Sequence, residues 1–372
     1  MENYVVIVGA GPSGSVTALS LYQQGIKDVC VLTVGDINTH KACNGLLPPK
    51  AFERLQALGI DVVKELDYYK CEEINFYYRG KERFSGNHLF FYVPPSADRK
   101  LLDRYLYEKV QSLGIKIYEH TIITNVDIGG KKVFSTDNQW QYEYLIFADG
   151  VNGFSRKLFD YPEPQNIGME AIIKENRPSD TKFINLEFGL IKNAYCWVGS
   201  TGEYATVGFA GRFDKSINYR AKLKELARRY GYEFDNKNLV GGFFPSEVRK
   251  LYHKDCFLVG DAAGLADPLS AEGLYYGFLS AYWVSQAIAA EEPKLYVRKM
   301  QPSVRRLRQA AFIRPIFYCF LVQWLFFWRR SKNDFRSYVF AKAMLNNEYG
   351  YFQLFRCYLS YRRYKKENAE QN

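Results

Sequence analysis

Residues 4–24 read Tyr4-Val5-Val6-Ile7-Val8, then Gly9-Ala10-Gly11-Pro12-Ser13-Gly14, then Ser15 to Gln24. This order predicts a buried strand, a glycine turn and a helix. Gly9 permits the tight turn, Gly11 lets the backbone approach a pyrophosphate, and Gly14 lets the helix pack closely on the strand. Because helix N-termini attract anions, Pro12 and Ser13 are expected beside the phosphates. The stretch predicts a dinucleotide-binding fold.

The length and the charge of the chain limit its organisation. With 372 residues it is long enough for two or three domains, because one core rarely grows beyond ~250–300 residues. Seven cysteines without framework spacing, and no signal peptide before the first strand, predict free thiols and a cytoplasmic location. The net charge is +10, and residues 294–372 hold 17 Lys or Arg against 4 Asp or Glu. A polyanionic partner would therefore bind this C-terminal region, and the candidates are an anionic membrane surface and nucleic acid.

The second parallel strand is predicted at Val29-Cys30-Val31-Leu32. An acidic residue is expected at its end to bind a ribose. Thr33 occupies that place and Asp36 follows three residues later, so either residue is a candidate for the ribose contact. A polar loop, Thr39 to Pro49, then precedes a helix predicted over 50–58.

Alternating, aromatic-rich segments over 72–94 and 167–210 predict a second sheet. Between them a helix begins near residue 98, with Arg99 in its first turn, and the buried strand Tyr144 to Phe147 ends in Ala148-Asp149-Gly150. A helix is predicted near 215–230. The strand, turn and helix pattern then returns at Cys256 to Gly264, so the second sheet interrupts the nucleotide-binding part.

Three separated signals agree on one cofactor. They are the first glycine turn, Asp149-Gly150, and the run from Gly260-Asp261 through Pro268 to Glu272-Gly273-Leu274. An acid after a buried strand can bind the polyol chain of a flavin, and small residues at a helix start offer N–H groups to its ring. The pattern resembles FAD-dependent oxidoreductases of the para-hydroxybenzoate hydroxylase fold. FAD is therefore the predicted cofactor.

The resemblance narrows to the geranylgeranyl reductase family. Lys41-Ala42-Cys43-Asn44-Gly45-Leu46-Leu47 resembles its K-P-C-G-G-G-L loop. The run from Gly260 to Leu274 is similar to its G-D-A-A-G-x-x-x-P-x-x-x-E-G-I-x-x-A motif, with Gly277 in place of the final alanine. Ala97 to Asp103 matches its arginine-bearing helix. Within the family the chain is most similar to the CbrA-type branch, through Cys43 to Pro48 and Phe244-Pro245-Ser246, and the resemblance covers roughly residues 1–290.

This resemblance implies an FAD-dependent oxidoreductase that reduces C=C bonds of an isoprenoid or polyprenyl lipid by hydride transfer from reduced flavin N5. It implies that Lys41, Ala42, Cys43 and Arg99 lie near FAD and that Cys43 is the candidate proton source. The family's Y-x-W-x-F-P-K motif corresponds to Tyr195-Cys196-Trp197-Val198-Gly199-Ser200, in which the aromatic residues are kept and Phe-Pro-Lys is lost. Tyr195 and Trp197 are expected to wall the substrate site, whose substrate stays open.

Two other functions stay open on sequence alone: a flavin-dependent monooxygenase or halogenase on the same fold, and a non-enzymatic flavin-bearing lipid-binding protein. No second glycine fingerprint marks a stably bound nicotinamide, and the electron donor stays open between NADPH, ferredoxin and another flavin. The four histidines are far apart without paired ligand spacing, so no metal site is predicted.

The predicted fold is α/β (α+β), with a Rossmann-like FAD-binding domain interrupted by a mixed or antiparallel β-sheet substrate domain and followed by helices. We assign 1–70, 95–165 and 245–290 to the FAD-binding domain. The substrate domain is 71–94 with 166–244, and 291–372 is a basic, aromatic helical region. Helices separated by Pro302, Pro315, Ser331 and Gly350 are predicted over 294–309, 312–328, 332–347 and 350–364.

The apolar run Pro315 to Trp328 predicts peripheral contact with a membrane or, as the alternative, a buried helix of a C-terminal bundle with a solvated basic face. As one helix it would span ~21 Å, which is too short for a bilayer core of ~30 Å. Tyr318, Trp324 and Trp328 prefer interfaces. Basic side chains that could meet anionic head groups are Arg329, Arg330, Lys332, Arg336, Arg362, Arg363, Lys365 and Lys366. We expect docking on the inner face of the cell membrane, and no nucleic-acid binding because no recognition motif accompanies the charge.

Overall fold

The structure, a computed structural model, describes residues 2–35, 42–86, 89–175, 180–328, 335–345 and 350–352. Two residues predicted from the motifs, Asp36 and Lys41, lie outside the described residues. So do all the basic residues predicted for head-group contact except Arg336, whose side chain is also not described.

The helices and strands follow the predicted order. The strands are β1 (Glu2–Val8), β2 (Val29–Leu32), β3 (Tyr69–Cys71), β4 (Ile74–Tyr78), β5 (Lys81–Ser85), β6 (Phe91–Val93), β7 (Lys116–Tyr118), β8 (Ile123–Asp127), β9 (Lys132–Ser135), β10 (Gln139–Phe147), β11 (Asn166–Lys174), β12 (Phe183–Phe188), β13 (Ala194–Ser200), β14 (Tyr204–Arg212), β15 (Leu239–Phe244), β16 (Tyr252–His253) and β17 (Cys256–Leu258). The helices are α1 (Pro12–Gln23), α2 (Pro49–Gln56), α3 (Val62–Glu65), α4 (Lys100–Ser112), α5 (Phe154–Leu158), α6 (Tyr219–Arg229), α7 (Leu274–Ala289), α8 (Pro293–Phe317), α9 (Phe320–Trp328) and α10 (Phe335–Leu345).

The first sheet has the order β16-β17-β10-β1-β2-β7, and β9 and β8 extend it beside β10. The pairs between β17, β10, β1, β2 and β7 are all parallel. Because both faces of such a sheet are covered, its strands are almost wholly apolar, as in Val5 to Val8. The carboxyl ends of β1, β2, β10 and β17 meet at one edge, where ligands of open α/β sheets bind.

Helices α1, α4 and α7 cover this sheet, and α1 packs against both of the others. Helix α1 is buried from Gly14 to Leu21. It therefore lies inside the molecule, between the sheet and α7, and the start of α1 cannot move without disturbing the core.

The second sheet has the order β15-β11-β14-β13-β12-β4-β5 and is antiparallel except where β4 meets β12. One face packs on α6 through a cluster that includes Cys196, Phe209 and Leu223. The other face carries Trp197, Leu186 and aromatic residues that pack against α8, α9 and α10. This is the predicted α/β (α+β) fold, with the parallel sheet interrupted by the second one.

One segment predicted for the second sheet lies elsewhere. Strand β6 pairs with β3 in a separate two-stranded sheet, and Tyr92 bridges to Leu47. The Phe52 ring, 4.1 Å from the Tyr92 ring, holds this ladder against α2. The domain boundaries themselves stay a prediction.

The predicted helix breaks at Pro302 and Pro315 are wrong. Helix α8 continues through both prolines, because Met300, Val304 and Leu307 are buried against the rest of the molecule and outweigh the lost hydrogen bonds. The chain instead bends by 91° between α8 and α9. The run from Pro315 to Trp328 is therefore not one helix. Among the described residues, no single helix has the length and apolarity to cross a bilayer; α8 and α9 meet those criteria only as a bent pair.

Candidate functional site

The glycine turn after β1 has no room for side chains. Gly9 has φ +109°, and a Cβ there would lie 2.4 Å from the Ala148 carbonyl oxygen. A Cβ on Gly14 would lie 1.9 Å from the Gly9 carbonyl oxygen. Helix α1 begins at Pro12, directly after Gly11, and no side chain caps it. Its first N–H groups are therefore available to an anion.

Ser13 joins this turn to the turn after β17. A Cβ on Gly260 would lie 2.2 Å from Ser13 Oγ, and a Cβ on Gly277 would lie 2.5 Å from it. An alanine at position 277, as in the resembled motif, would collide with the Ser13 hydroxyl. Gly277 thus accommodates Ser13, and the starts of α1 and α7 lie in contact.

Asp149 holds the turn after β10. Its Oδ2 accepts a hydrogen bond from the Ser155 N–H, and its Oδ1 accepts one from the Ser155 hydroxyl, each at 2.7 Å. Gly150 has φ +78°, and a Cβ on Gly153 would lie 2.2 Å from Asp149 Cγ. Burial raises the pKa of Asp149 to about 6. In the structure Asp149 stabilises this turn through its two hydrogen bonds to Ser155. A contact between Asp149 and FAD stays a prediction.

The loop that contains Cys43 folds against the start of α4. The Arg99 N–H donates to the Cys43 carbonyl oxygen at 3.3 Å, and a Cβ on Gly45 would lie 3.0 Å from Arg99 Cα. Arg99 Nε lies 3.2 Å from Asp103 Oδ1. Burial lowers the pKa of Arg99, but Asp103, Cys43 and Asp261 raise it more, so Arg99 is a cation. The positive charge of Arg99 therefore lies close to residues of two predicted motifs, Cys43 and Asp261.

The Cys43 thiol is protonated at neutral pH. Burial raises its pKa to about 11, and the nearby carboxyl groups of Glu170 and Glu272 act in the same direction. The positive charge of Arg99 lowers the pKa of Cys43, but by less than burial raises it. Cys43 is therefore a thiol that can donate a proton and a poor nucleophile.

The second sheet turns one face toward this loop. Across that face Glu170, Gly208, Trp197 and Leu186 are successive partners in β11, β14, β13 and β12. A Cβ on Gly208 would lie 2.2 Å from Trp197 Cζ2, so glycine lets the indole lie across β14. The Tyr195 ring is 6.0 Å from the Trp197 ring. These residues form a wall that is apolar except for Glu170.

Glu170 lies in the site although no sequence motif predicts it there. It is fully buried, and among the described residues no hydrogen bond of normal geometry reaches either carboxyl oxygen. Burial, with the charge of Asp98, raises its pKa to about 8, against the weaker effects of the Cys43 N–H, Arg99 and Trp197. In the sequence, this buried carboxyl group is indicated only by the position of a glutamate inside the apolar run from Ile167 to Ile173.

The loop 267–272 connects the wall to the C-terminal helices. Tyr195 donates its hydroxyl hydrogen to the Ser270 carbonyl oxygen at 2.6 Å. Asp267 is fully buried, and its Oδ1 accepts the Leu269 N–H at 2.9 Å. Its Oδ2 pairs with Arg306 at 2.5 Å and accepts the Tyr351 hydroxyl at 2.9 Å. Helix α8 therefore holds the shape of this loop.

The start of α7 completes the edge. Glu272 Oε1 accepts the Tyr275 N–H at 2.8 Å, and burial raises the pKa of Glu272 to about 7. Gly273 precedes the helix without a side-chain cap, and Leu274 is its first residue. At the end of β2, the Thr33 N–H and carbonyl bond to the loop after β7.

Most of the predicted site residues lie around this one edge of the parallel sheet. The uncapped start of α1, the glycines with no space for a Cβ, and the half-buried cation at Arg99 fit the pyrophosphate and the flavin ring of FAD. Ala42 lies at the same edge, since its carbonyl oxygen is 4.0 Å from a Cβ on Gly168. In the described part of the chain, no group of three or more metal-ligating side chains occurs.

Residues 2–186 match the protein family described as FAD binding domain. An uncharacterized protein of Methanosarcina barkeri is 29% identical over 335 residues, covering 86% of this chain and 84% of that one. The digeranylgeranylglycerophospholipid reductase of Methanococcus vannielii is 24% identical, covering 73% of each chain. Protein CbrA of Escherichia coli K12 is 24% identical, covering 84% of this chain and 91% of its own.

Solved structures share the fold. A geranylgeranyl bacteriochlorophyll reductase-like protein of Thermoplasma acidophilum has a TM-score of 0.72 at 17% identity, covering 93% of this chain and 97% of its own. The flavin-dependent brominase Bmp2 has a TM-score of 0.74 at 16% identity and covers 100% of both chains. At these identities the likeness concerns the fold alone.

Proposed function

Through residues 2–186 the chain belongs to the FAD binding domain family, and we infer its reaction from this membership. It is an FAD-dependent oxidoreductase. We propose that it saturates C=C bonds of an isoprenoid or polyprenyl lipid. The observation that carries this proposal is the aromatic wall of Tyr195 and Trp197 beside the protonated thiol of Cys43. The relative named digeranylgeranylglycerophospholipid reductase supports the substrate class.

Residues at the sheet edge would hold FAD. The N–H groups at the start of α1 and the positive charge of Arg99 suit its anionic part, and Asp261 suits its polyol chain. When bound, FAD supplies the hydride equivalent for one carbon of the double bond. The protein must supply a proton for the other carbon.

Cys43 is the proposed proton donor. Its raised pKa keeps the proton on sulfur, and it lies in a loop on the wall side of the site. Glu170, whose carboxyl group lies beside the Cys43 N–H, supports this loop from behind and does not itself reach solvent. The wall of Trp197 and Leu186 excludes water from the double bond.

An anaerobic assay tests the proposal. FAD-loaded protein is reduced with dithionite, NADPH or reduced ferredoxin and mixed with a polyprenyl acceptor. We expect reoxidation of the flavin that depends on the acceptor, and by mass spectrometry a gain of two hydrogens for each saturated bond. Reoxidation only in the presence of oxygen, with an oxygen or a halogen entering the product, would instead identify the monooxygenase or halogenase.

We also propose that the end of α8 and α9 dock on an anionic membrane. Apolar side chains there are 37–64% exposed, namely Phe312, Ile316, Phe320, Leu321, Val322, Leu325 and Trp328. The charge of residues 294–372 favours an anionic surface. Of the predicted anchors, Trp328 is exposed and Trp324 stacks on it at 4.9 Å, but Tyr318 is buried and cannot contact lipid.

Sedimentation with lipid vesicles tests this docking. We expect binding that requires anionic lipid, weakens with salt, and falls when Leu321 and Trp328 are both replaced by Ser. Phe243→Ser, which changes an exposed aromatic residue on β15, is the matched control and should bind like wild type. Equal binding to neutral and anionic vesicles, or none to either, would contradict the proposal.

A further inference from the structure

A cavity of about 330 Å³ lies beside the candidate site, where both sheets meet α8. We call it the arginine cavity. The residues that matter here are Asn166, Asn193, Arg212, Arg249, Pro268 and Arg314. Pro268 belongs to the loop 267–272, so the cavity and the candidate site share a wall.

Three guanidinium groups in this cavity are held by neutral oxygens only. Arg212 donates to Gln165 Oε1 at 2.6 Å. Arg314 donates to Asn166 Oδ1, and to the Asn193 carbonyl oxygen at 3.3 Å. Arg249, which is buried, donates to the carbonyl oxygens of Ala262 and Val151, each at 3.2 Å.

Within the described ranges none of these three groups forms an ion pair, although the carboxyl groups of Asp149 and Glu247 act on Arg249 from a longer distance, and that of Asp267 acts on Arg314. Two glutamates also line the cavity, but Glu163 pairs with Arg156 at 2.8 Å and Glu247 is exposed to solvent. Burial lowers the pKa of both Arg249 and Arg314, and Arg212 lowers that of Arg314 further. A bound anion would reduce this cost at the buried Arg249 and the half-buried Arg314, because buried charges are most stable when paired. Arg212 is exposed and adds positive charge at the mouth of the cavity.

We propose that the arginine cavity binds a phosphate-type oxyanion. Guanidinium groups are suited to phosphate oxygens because their N–H groups bind two oxygens at once. The Arg314 guanidinium lies 6.0 Å from the Tyr318 ring, and Tyr318 belongs to the same apolar cluster as Trp197 and Leu269. The cavity therefore borders the apolar cluster that contains the wall of the candidate site, and an apolar chain attached to the phosphate would lie against that cluster.

This last step rests on the proposed function and makes a phosphorylated amphiphile one candidate source of the anion. The phosphate could equally belong to free inorganic phosphate or to the 2′-phosphate of a nicotinamide dinucleotide. The chemistry of recognition is the same in each case, and the ligands of the test distinguish the sources.

Calorimetric titration of FAD-loaded protein with pyrophosphate at low salt tests the site without turnover. We expect saturable binding to wild type, weakened about tenfold or more by Arg212→Met and by Arg314→Met. Arg308→Met is the control, since Arg308 is an exposed residue of α8 outside the cavity. Arg314→Lys should recover part of the affinity. Circular dichroism and flavin content confirm the fold of each variant.

The source is found by competition. Geranylgeranyl diphosphate displacing pyrophosphate better than geranylgeraniol assigns the cavity to the substrate head group, and NADPH displacing it better than NADH assigns it to the electron donor. No pyrophosphate binding, or equal binding to wild type and both Met variants, would overturn the proposal. Because binding is measured without an acceptor, failure of lipid reduction would leave this result unchanged.

Discussion

Replacing Glu170 by Gln should stabilise the protein, and the gain should grow with pH. The carboxyl group is fully buried on β11, and burial raises its pKa from 4.5 to about 8. Glu170 is therefore neutral at pH 7, when the glutamate of the unfolded chain is ionised. Gln has the same shape and no proton to lose.

The magnitude follows from the two pKa values. A separation of about 3.5 pKa units at 1.36 kcal/mol each corresponds to about 5 kcal/mol. Because the folded pKa is the higher one, the contribution of Glu170 to stability is complete below about pH 4.5 and is lost as pH rises to about 8. The Gln variant has no such loss. The difference in free energy of unfolding should thus change by about 3 kcal/mol between pH 5.5 and pH 8.5.

Urea unfolding of FAD-loaded wild type and variant at pH 5.5, 7.0 and 8.5 measures this difference. FAD is held at one saturating concentration so that its binding contributes equally. Glu203→Gln, at an exposed position between β13 and β14, is the control and should follow wild type at every pH. If Glu170→Gln also runs parallel to wild type across this range, the carboxyl group has an ordinary pKa and the reasoning is wrong.

Three further changes test other parts of the site. Cys43→Ala should keep FAD but slow acceptor-dependent anaerobic reoxidation by about 100-fold, since it removes the proposed proton donor; an unchanged rate would return Cys43 to a packing role. Gly277→Ala should cost at most about 1 kcal/mol in thermal unfolding, because its Cβ forces the hydroxyl of Ser13 to rotate, and Ser13→Ala in the same chain should remove this cost. Arg306→Met should cost about 3–5 kcal/mol in urea unfolding, because it leaves Asp267 buried without its cation. A loss under about 1 kcal/mol would contradict this reasoning.

Much of the fold could be predicted because its signals are local. Gly9 and Gly260 mark turns whose backbone needs glycine, Gly14 marks the close approach of α1 to β1, and the apolar strands are evident beside them. The course of α8 could not be read in this way. The local sequence at Pro302 predicts a break in the helix. Helix α8 continues because Met300 and Leu307 are buried against residues that are distant in the sequence.

The chemistry of the candidate site was predictable only in part for the same reason. Cys43 and Trp197 were found through motifs that keep their spacing. Glu170 belongs to no motif, and its raised pKa depends on Asp98 and on burial beneath the Cys43 loop, more than 100 positions earlier in the chain. The pairing of Asp267 with Arg306 and Tyr351 likewise joins residues of three separate segments.

The order of strands in the parallel sheet has a consequence for synthesis of the protein. β1 leaves the ribosome first, but its neighbour β10 ends at Phe147 and the next strand, β17, ends at Leu258. At about 5–20 residues per second, β1 exposes an unpaired edge for on the order of 10 s before β10 emerges. Nascent chains that end before Gly260 lack the turn of Gly260 and Asp261, which we propose as part of the FAD site. FAD bound at this edge could therefore stabilise the nascent chain only after Gly260 has emerged, and until then the exposed edge of β1 has no cofactor to stabilise the sheet around it.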